Sequence, residues 1–162
     1  MAERLARRAF DDAFGPNDIG TASAGMRAFD GEPMHPNSAA VLAECGVDAG
    51  GFTSRTVDAG ILRDADLVLT ATGEQRTACL TLEPGAAKRT FTLRQFARFA
   101  GAAPTSDGRD MRQLVEVVNA TRHRVPPGAD DLADPMGQPI EAFRACAEEI
   151  WGSLRVVVGA IT

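Results

Sequence analysis

The sequence predicts an α/β protein with a doubly wound parallel sheet between two layers of helices, a three-layer α/β/α arrangement. Helical and extended patterns alternate along the chain, which is typical of βαβ units. The clearest strand, ADLVLTAT at residues 65–72, is a nearly continuous apolar run, as expected for a strand buried on both faces. The 162 residues show no internal repeat and no sign of a second part, so we expect one domain over residues 1–162.

The chain begins inside a helix rather than a strand. Apolar and small side chains recur at helical spacing from Met1 to Ala13, and the turn residues GPND at 15–18 end this helix. In a doubly wound fold a parallel strand normally leads into the first helix, and the ligand lies where that strand ends. We therefore expect the first, central strand to be missing from these 162 residues.

The next two elements are short. IGTASAG at residues 19–25 has the pattern of a strand that ends in small residues. Asn37 or Ser38 is placed to cap a helix that runs through Glu44 and ends at Gly46.

The second half of the chain repeats the alternation. A helix is expected from the end of the 65–72 strand to about Leu82, a strand near residues 90–93, and a helix over RQFARFA. Further helices are expected from about Met111 to Ala120 and from about Ile140. The stretch RVPPGADDLADPMGQP between them is a long loop rich in proline and acidic residues.

Composition limits the function. The net charge of −5 argues against a general nucleic-acid surface, since such surfaces neutralise phosphates with Lys and Arg. No apolar run is long enough to span a membrane and the N-terminus does not resemble a secretory signal, so we expect a cytoplasmic protein that binds no membrane. Three cysteines without a CxxC pair indicate neither a disulfide framework nor a zinc site. No metal and no cofactor are expected.

Histidine and basic residues give weak signals. His35 and His123 have no second ligand at metal spacing, so each is interpreted as a surface or loop residue. Arg122, His123 and Arg124 form a small basic cluster. A solvated face and a contact for a phosphorylated or acidic partner are both open interpretations.

Seven fragments in order resemble one family. MAE at the start of a helix, SAG at the end of a strand, PMHP, Ser54-Arg55, ADLVLTAT, RTFTLRQFARF and DDLADPMGQPIEAF are similar to the low-molecular-weight protein tyrosine phosphatases, particularly the bacterial branch. The resemblance runs from Met1 to about Trp151. It implies the fold of that family and hydrolysis of phosphomonoesters through a cysteinyl-phosphate intermediate, on a phosphotyrosine protein or a small phosphoester.

The resemblance also shows what these residues lack. In that family the helix that starts with MAE follows a phosphate loop, Cys-x-Gly-Asn-x-Cys-Arg-Ser-Pro, whose first Cys attacks phosphorus and whose Arg holds the phosphate oxygens. No Cys-x5-Arg occurs in the 162 residues, because the sixth residue after each cysteine is a glycine: Gly51, Gly85 or Gly152. The chain as given is therefore expected to be inactive.

The remaining site residues are implied by the resemblance. Asp134 occupies the general-acid position, where a carboxylic acid protonates the leaving group; the plainer interpretation is an Asp-Pro turn, with Asp130 and Asp131 as fallback acids. Phe29 and Asp30 occupy the wall of the substrate pocket, although Phe29 is also interpretable as a loop anchor. Met136 replaces a family tyrosine at the pocket, and Ser23 matches the residue that supports the phosphate loop.

Three functions remain open from the sequence. The first is a phosphatase whose strand and phosphate loop are absent from the given chain. The second is a non-catalytic relative that serves as a binding module, and the third, less favoured, is arsenate reduction. Arsenate reduction needs further cysteines close together, whereas Cys79 has no neighbour and the next cysteine is Cys146. An oligomer formed through the unfilled sheet is a further expectation.

Overall fold

The computed structural model describes residues 1–104 and 108–162 and confirms an α/β fold with a small open parallel sheet. The described residues form two strands, β1 (Val68–Thr70) and β2 (Thr90–Thr92), and two 3-10 helices, Pro84–Ala86 and Arg122–Arg124. They also form seven α-helices: α1 (Ala2–Phe14), α2 (Pro36–Glu44), α3 (Ala59–Asp64), α4 (Gly73–Leu82), α5 (Leu93–Gly101), α6 (Met111–Thr121) and α7 (Ile140–Gly159).

The chain divides into two compact units. The first unit comprises Met1–Val57 and Ala133–Gly152, and the second comprises Asp58–Leu132 and Ser153–Thr162. Each has its own buried apolar residues. In the first unit Leu5, Leu42 and Phe143 are almost fully buried, and in the second Phe91 and Leu114 are.

The second unit contains the sheet. β1 and β2 pair in parallel, with Leu69 opposite Phe91, which confirms the two strands predicted in the second half of the chain. Phe91 is fully buried, and the centroid of its ring lies 5.2 Å from that of Phe96, so aromatic packing stabilises β2 against the first turn of α5. A threonine at the end of each strand caps the helix that follows. The hydroxyl of Thr72, just after β1, caps α4, and the hydroxyl of Thr92, the last residue of β2, caps α5.

The predicted strand at residues 19–25 does not form. The segment is extended but has a single isolated bridge, in which Gly25 pairs in parallel with Thr56. A strand needs a ladder of backbone hydrogen bonds with a neighbour. Within the described part of the chain only Gly25 of this segment makes such bonds: its N–H donates to Arg55 O, and its carbonyl accepts from the N–H of Val57. The prediction of a strand was therefore wrong at this position.

The start of α2 differs from the expectation. His35, rather than Asn37 or Ser38, is the N-cap residue, and its Nδ1 accepts from the N–H of Asn37 at 3.2 Å. Pro36 then occupies the first helical position, where its missing N–H is harmless. The imidazole also stacks on Phe143 at 5.0 Å, so His35 has a packing role in the first unit.

No helix among the described residues is long and apolar enough to cross a membrane.

Candidate active site

The five site residues predicted from the resemblance, Ser23, Phe29, Asp30, Asp134 and Met136, all lie in the first unit. They come from two stretches of chain separated by about 100 residues, and both stretches belong to this unit. Their hydrogen bonds divide them into three local groups, around Ser23, around the loop at residues 28–32, and around the turn at residues 134–138.

Ser23 is held by the first turn of α1. Its hydroxyl donates to Oε2 of Glu3, a carboxylate of which only 11% is exposed. Arg7, one turn further along α1, donates to the other carboxylate oxygen at 3.1 Å, and Arg55 Nε donates to the backbone oxygen of Ser23 at 2.9 Å. Glu3 therefore links the helix start to the extended segment that carries Ser23.

Sequence reasoning missed this group. The spacing of Glu3 and Arg7 is a signal for an ion pair on a helix, but nothing in the sequence shows that Ser23 lies beside them. Arg4 extends the group, because its Nη2 donates to the carbonyl of Gly50 at 2.9 Å while its side chain is only 13% exposed. The Nε of Arg4 is buried and has no hydrogen-bond partner among the residues that the structure describes.

The loop that carries Phe29 is tied to residues 54–56. Gly31 donates its N–H to Ser54 O, the N–H of Ser54 donates to Glu32 O, and the Ser54 hydroxyl donates to the carbonyl of Phe29. The ring of Phe29 itself is 80% exposed, so it does not anchor the loop in the core.

Asp30 is hydrogen-bonded to Thr56, in the segment that holds the same loop. Its Oδ1 accepts from the N–H of Thr56 at 2.6 Å and from the Thr56 hydroxyl at 2.9 Å. These bonds fix the backbone beneath Phe29. Any contact of Asp30 with a substrate would use its other carboxylate oxygen.

Asp134 lies in a tight turn. Its Oδ1 accepts from the N–H of Met136 at 3.0 Å, and the N–H of Gln138 donates to Pro135 O at 3.0 Å. Gly137 has φ +77°, a conformation that favours glycine, which explains its position in the turn. The carboxyl group of Asp134 is exposed to solvent, as is 58% of the Met136 residue.

Two of the three thiols are poor nucleophiles in their present settings. Burial raises the pKa of Cys79, and burial followed by the charge of Glu149 raises the pKa of Cys146. Asp134 contributes in the same direction at Cys146. Cys45 is exposed and follows the last residue of α2.

The fallback acids belong to the second unit, where both are bonded. Asp130 receives three N–H contacts from Arg98, and Oδ1 of Asp131 accepts from the N–H of Gly73 at 2.7 Å. Both line a cavity of about 520 Å³ at the carboxyl ends of β1 and β2. These contacts support a structural role for the two carboxylates.

The predicted site residues comprise an exposed carboxyl group, an exposed aromatic ring and a hydroxyl-carboxylate-arginine group, each held by its own local hydrogen bonds. An exposed carboxyl group can transfer protons, and an exposed ring can stack on an aromatic substrate. In the described part of the chain, no group of three His, Cys, Asp or Glu side chains is arranged to hold a metal ion.

Comparison with solved structures supports the fold. A tyrosine phosphatase from Erwinia amylovora matches with 19% identity and a TM-score of 0.72, covering 99% of this chain and 83% of that one. A low molecular weight protein tyrosine phosphatase from T. tengcongensis matches with 24% identity and a TM-score of 0.72, covering 97% and 86%. An arginine phosphatase from Geobacillus stearothermophilus matches with 23% identity and a TM-score of 0.70, covering 98% and 83%.

The family follows from the sequence comparison. No curated protein matches the chain significantly. The family model described as low molecular weight phosphotyrosine protein phosphatase, however, matches residues 1–107, about two thirds of the chain. The chain belongs to the low molecular weight phosphotyrosine protein phosphatase family.

Proposed function

We propose that this protein belongs to the part of its family that hydrolyses phosphomonoesters, on phosphotyrosine proteins or small phosphoesters, and that the 162-residue chain alone is inactive. The observation that carries the second half is the absence of any Cys-x5-Arg within these residues. Without a thiolate nucleophile no cysteinyl-phosphate forms, and without the arginine the phosphate oxygens have no clamp.

In this proposal Asp134 is the general acid. It protonates the leaving oxygen and then, as a base, activates water. The exposure of its carboxyl group and its place in a turn fixed by Pro135 and Gly137 support this role. Met136, the next exposed side chain, would contact the leaving group, and Phe29 would stack on an aromatic ring.

Ser23 would support the phosphate loop through its hydroxyl group. In the structure that hydroxyl donates to Glu3, in the first turn of α1. The same helix follows the phosphate loop in the family, and this contact supports the proposal that Ser23 and Glu3 hold the base of the loop. We propose the cytoplasm as the compartment.

The test compares two chains. The 162-residue chain is assayed with p-nitrophenyl phosphate and we expect no turnover. A second chain carries an apolar strand and a Cys-x5-Arg-Ser-Pro loop, about 15 residues in all, before Met1, and we expect it to be active. In this longer chain Asp134→Asn should lower kcat by about 10² to 10⁴-fold.

A matched control separates the general acid from any other loss of charge. Asp12→Asn removes an exposed carboxylate from α1 and should leave the longer chain's kcat unchanged. Turnover by the 162-residue chain that Asp134→Asn abolishes would contradict the proposal. Reading the gene in frame for about 15 codons before Met1 is the complementary observation.

The alternatives are a binding module and arsenate reduction. A gene with no Cys-x5-Arg before Met1 would favour the binding module, since Asp134 would then have no thiolate to serve. Arsenate reduction is less favoured because burial raises the pKa of both Cys79 and Cys146, whereas a disulfide relay needs reactive thiols.

A further inference from the structure

The second unit carries an exposed basic cluster, defined here as Lys88, Arg122, His123 and Arg124. Asn119 joins its parts, because its Nδ2 donates to the carbonyl of Lys88 at 2.5 Å. Arg122 and His123 follow Asn119 by three and four residues, which places them on the same face of the helical segment. Lys88 and the end of α6 therefore form one surface.

The cationic side chains of this cluster are unpaired. In the described part of the chain Lys88, Arg122 and Arg124 make no ion pair and no side-chain hydrogen bond, and all three are exposed. Carboxylates in the same unit do pair with other arginines, such as Asp66 with Arg112 at the opposite end of α6. The protein has five more acidic than basic residues, yet none of the described carboxylates pairs with Lys88, Arg122 or Arg124.

Helix stabilisation explains only part of this arrangement. Cations near a helix C-terminus interact favourably with the helix dipole, which accounts for Arg122 and Arg124. Lys88 lies outside any helix, in the turn before β2, and so gains nothing from α6 in that way. Lys88 beside the end of α6 concentrates positive charge on one surface. The like charges repel one another unless an anion lies nearby.

We propose that the basic cluster is a docking surface for an acidic segment of a protein partner. Charge complementarity indicates the chemical class of the partner, because three permanent cations on an exposed surface are complementary to several carboxylates close together in a peptide. A single-stranded nucleic acid fits less well, because such sites use several aromatic rings on which successive bases stack, whereas the basic cluster as defined carries one ring, the imidazole of His123. The docking surface does not depend on the phosphatase activity.

The test measures binding of a fluorescent eight-residue polyglutamate peptide to the 162-residue chain by anisotropy. We expect saturable binding that weakens as salt rises from about 0.02 to 0.2 M, because exposed charges are screened. Arg122→Glu should weaken binding about fivefold or more, and Lys88→Glu should do the same, since each change replaces an attraction by a repulsion. Arg122→Lys keeps the positive charge and should bind the peptide as well as the unsubstituted chain does.

The matched control is Arg27→Glu. Arg27 is exposed and, like Arg122, has no ion-pair partner among the described residues, but it lies in the first unit, and its substitution changes the net charge by the same amount. We expect less than about a twofold effect from it. Thermal unfolding of each variant shows whether it is folded.

Three results would overturn the proposal. Failure of the unsubstituted chain to bind polyglutamate is one, and an equal loss of binding in Arg27→Glu, which would indicate only net charge, is another. Tighter, cluster-dependent binding of a 12-residue oligouridine would assign the surface to nucleic acid instead. None of these readouts uses phosphatase turnover, so failure here leaves the proposed function standing and the reverse also holds.

Discussion

The ion pair of Arg98 and Asp130 gives the sharpest test of how the second unit is held together. Two guanidinium nitrogens contact the carboxylate: Nη2 lies 2.8 Å from Oδ1 and 2.7 Å from Oδ2, and Nε lies 3.2 Å from Oδ1. The side chains are 27% and 19% exposed, so the pair is largely shielded from water. Asp130→Asn keeps the shape of the side chain and removes its charge.

The expected cost follows from this partial burial. A hydrogen bond to a buried charged group contributes about 1.5–3 kcal/mol, whereas an exposed pair contributes about 0.2–1 kcal/mol. For a pair that is about four-fifths shielded we expect a loss of about 1.5 kcal/mol. With an unfolding entropy of about 2.1 cal/mol/K per residue, a chain of 162 residues should lose about 4 °C in Tm.

Calorimetry at neutral pH measures this change, and Asp66→Asn is the matched control. Asp66 also pairs with an arginine, Arg112, but the two side chains are 55% and 76% exposed, so we expect a loss of less than about 0.5 kcal/mol, which corresponds to less than about 1.5 °C. If the two variants lose the same Tm, burial does not strengthen the Arg98 pair and the reasoning fails. In that refuting case, a double-mutant cycle of Arg98→Met and Asp130→Asn should give additive losses of unfolding free energy, with no coupling between the two sites.

Three further predictions concern the core, the thiols and acid stability. Phe91→Ala should lower the free energy of unfolding in urea by about 3–5 kcal/mol, because the ring is fully buried; a change below about 1 kcal/mol would contradict the packing. In the native protein a thiol reagent should modify Cys45 quickly and Cys79 slowly, since Cys79 is buried and its pKa is raised; Cys45→Ser should remove the fast phase. The hydrogen bond from Arg144 lowers the pKa of Glu44 below its usual 4.5, so the pair stabilises the fold above pH 4.5, and this contribution is lost as the pH falls through the lower pKa of the folded state. Glu44→Gln should therefore reduce the dependence of the free energy of unfolding on pH in this acidic range. An unchanged dependence would refute the pairing.

Elements marked by local signals could be predicted from the sequence. The strand at β1 is an apolar run between polar residues, and α4 begins after Thr72, a good cap, and ends before Pro84. The first helix ends where Gly15, at φ +113°, permits the chain to turn. These signals lie within a few residues of the elements that they define, so no knowledge of distant contacts was needed.

Features that depend on distant contacts could not be predicted. Residues 19–25 have the composition of a strand, yet a strand forms only where a partner supplies its ladder, and one bridge to Thr56 is all that the described residues provide. His35 became a cap because Pro36 follows it and Phe143, more than 100 residues away, receives its ring. The contact between Glu3 and Ser23 likewise joins residues 20 positions apart, and a helix-spacing rule cannot show it.

The loop that carries Phe29 leaves that position free to change over evolution. Among the described residues, the hydrogen bonds that fix the loop use backbone groups or the side chains of Asp30, Ser54 and Thr56, while the ring of Phe29 is largely exposed. Substitution at residue 29 can therefore alter what binds there at little cost to folding, whereas substitution at Asp30 or Thr56 alters the loop itself. Selection by the bound partner alone can decide which side chain stands at position 29, and relatives with different partners are expected to differ there first.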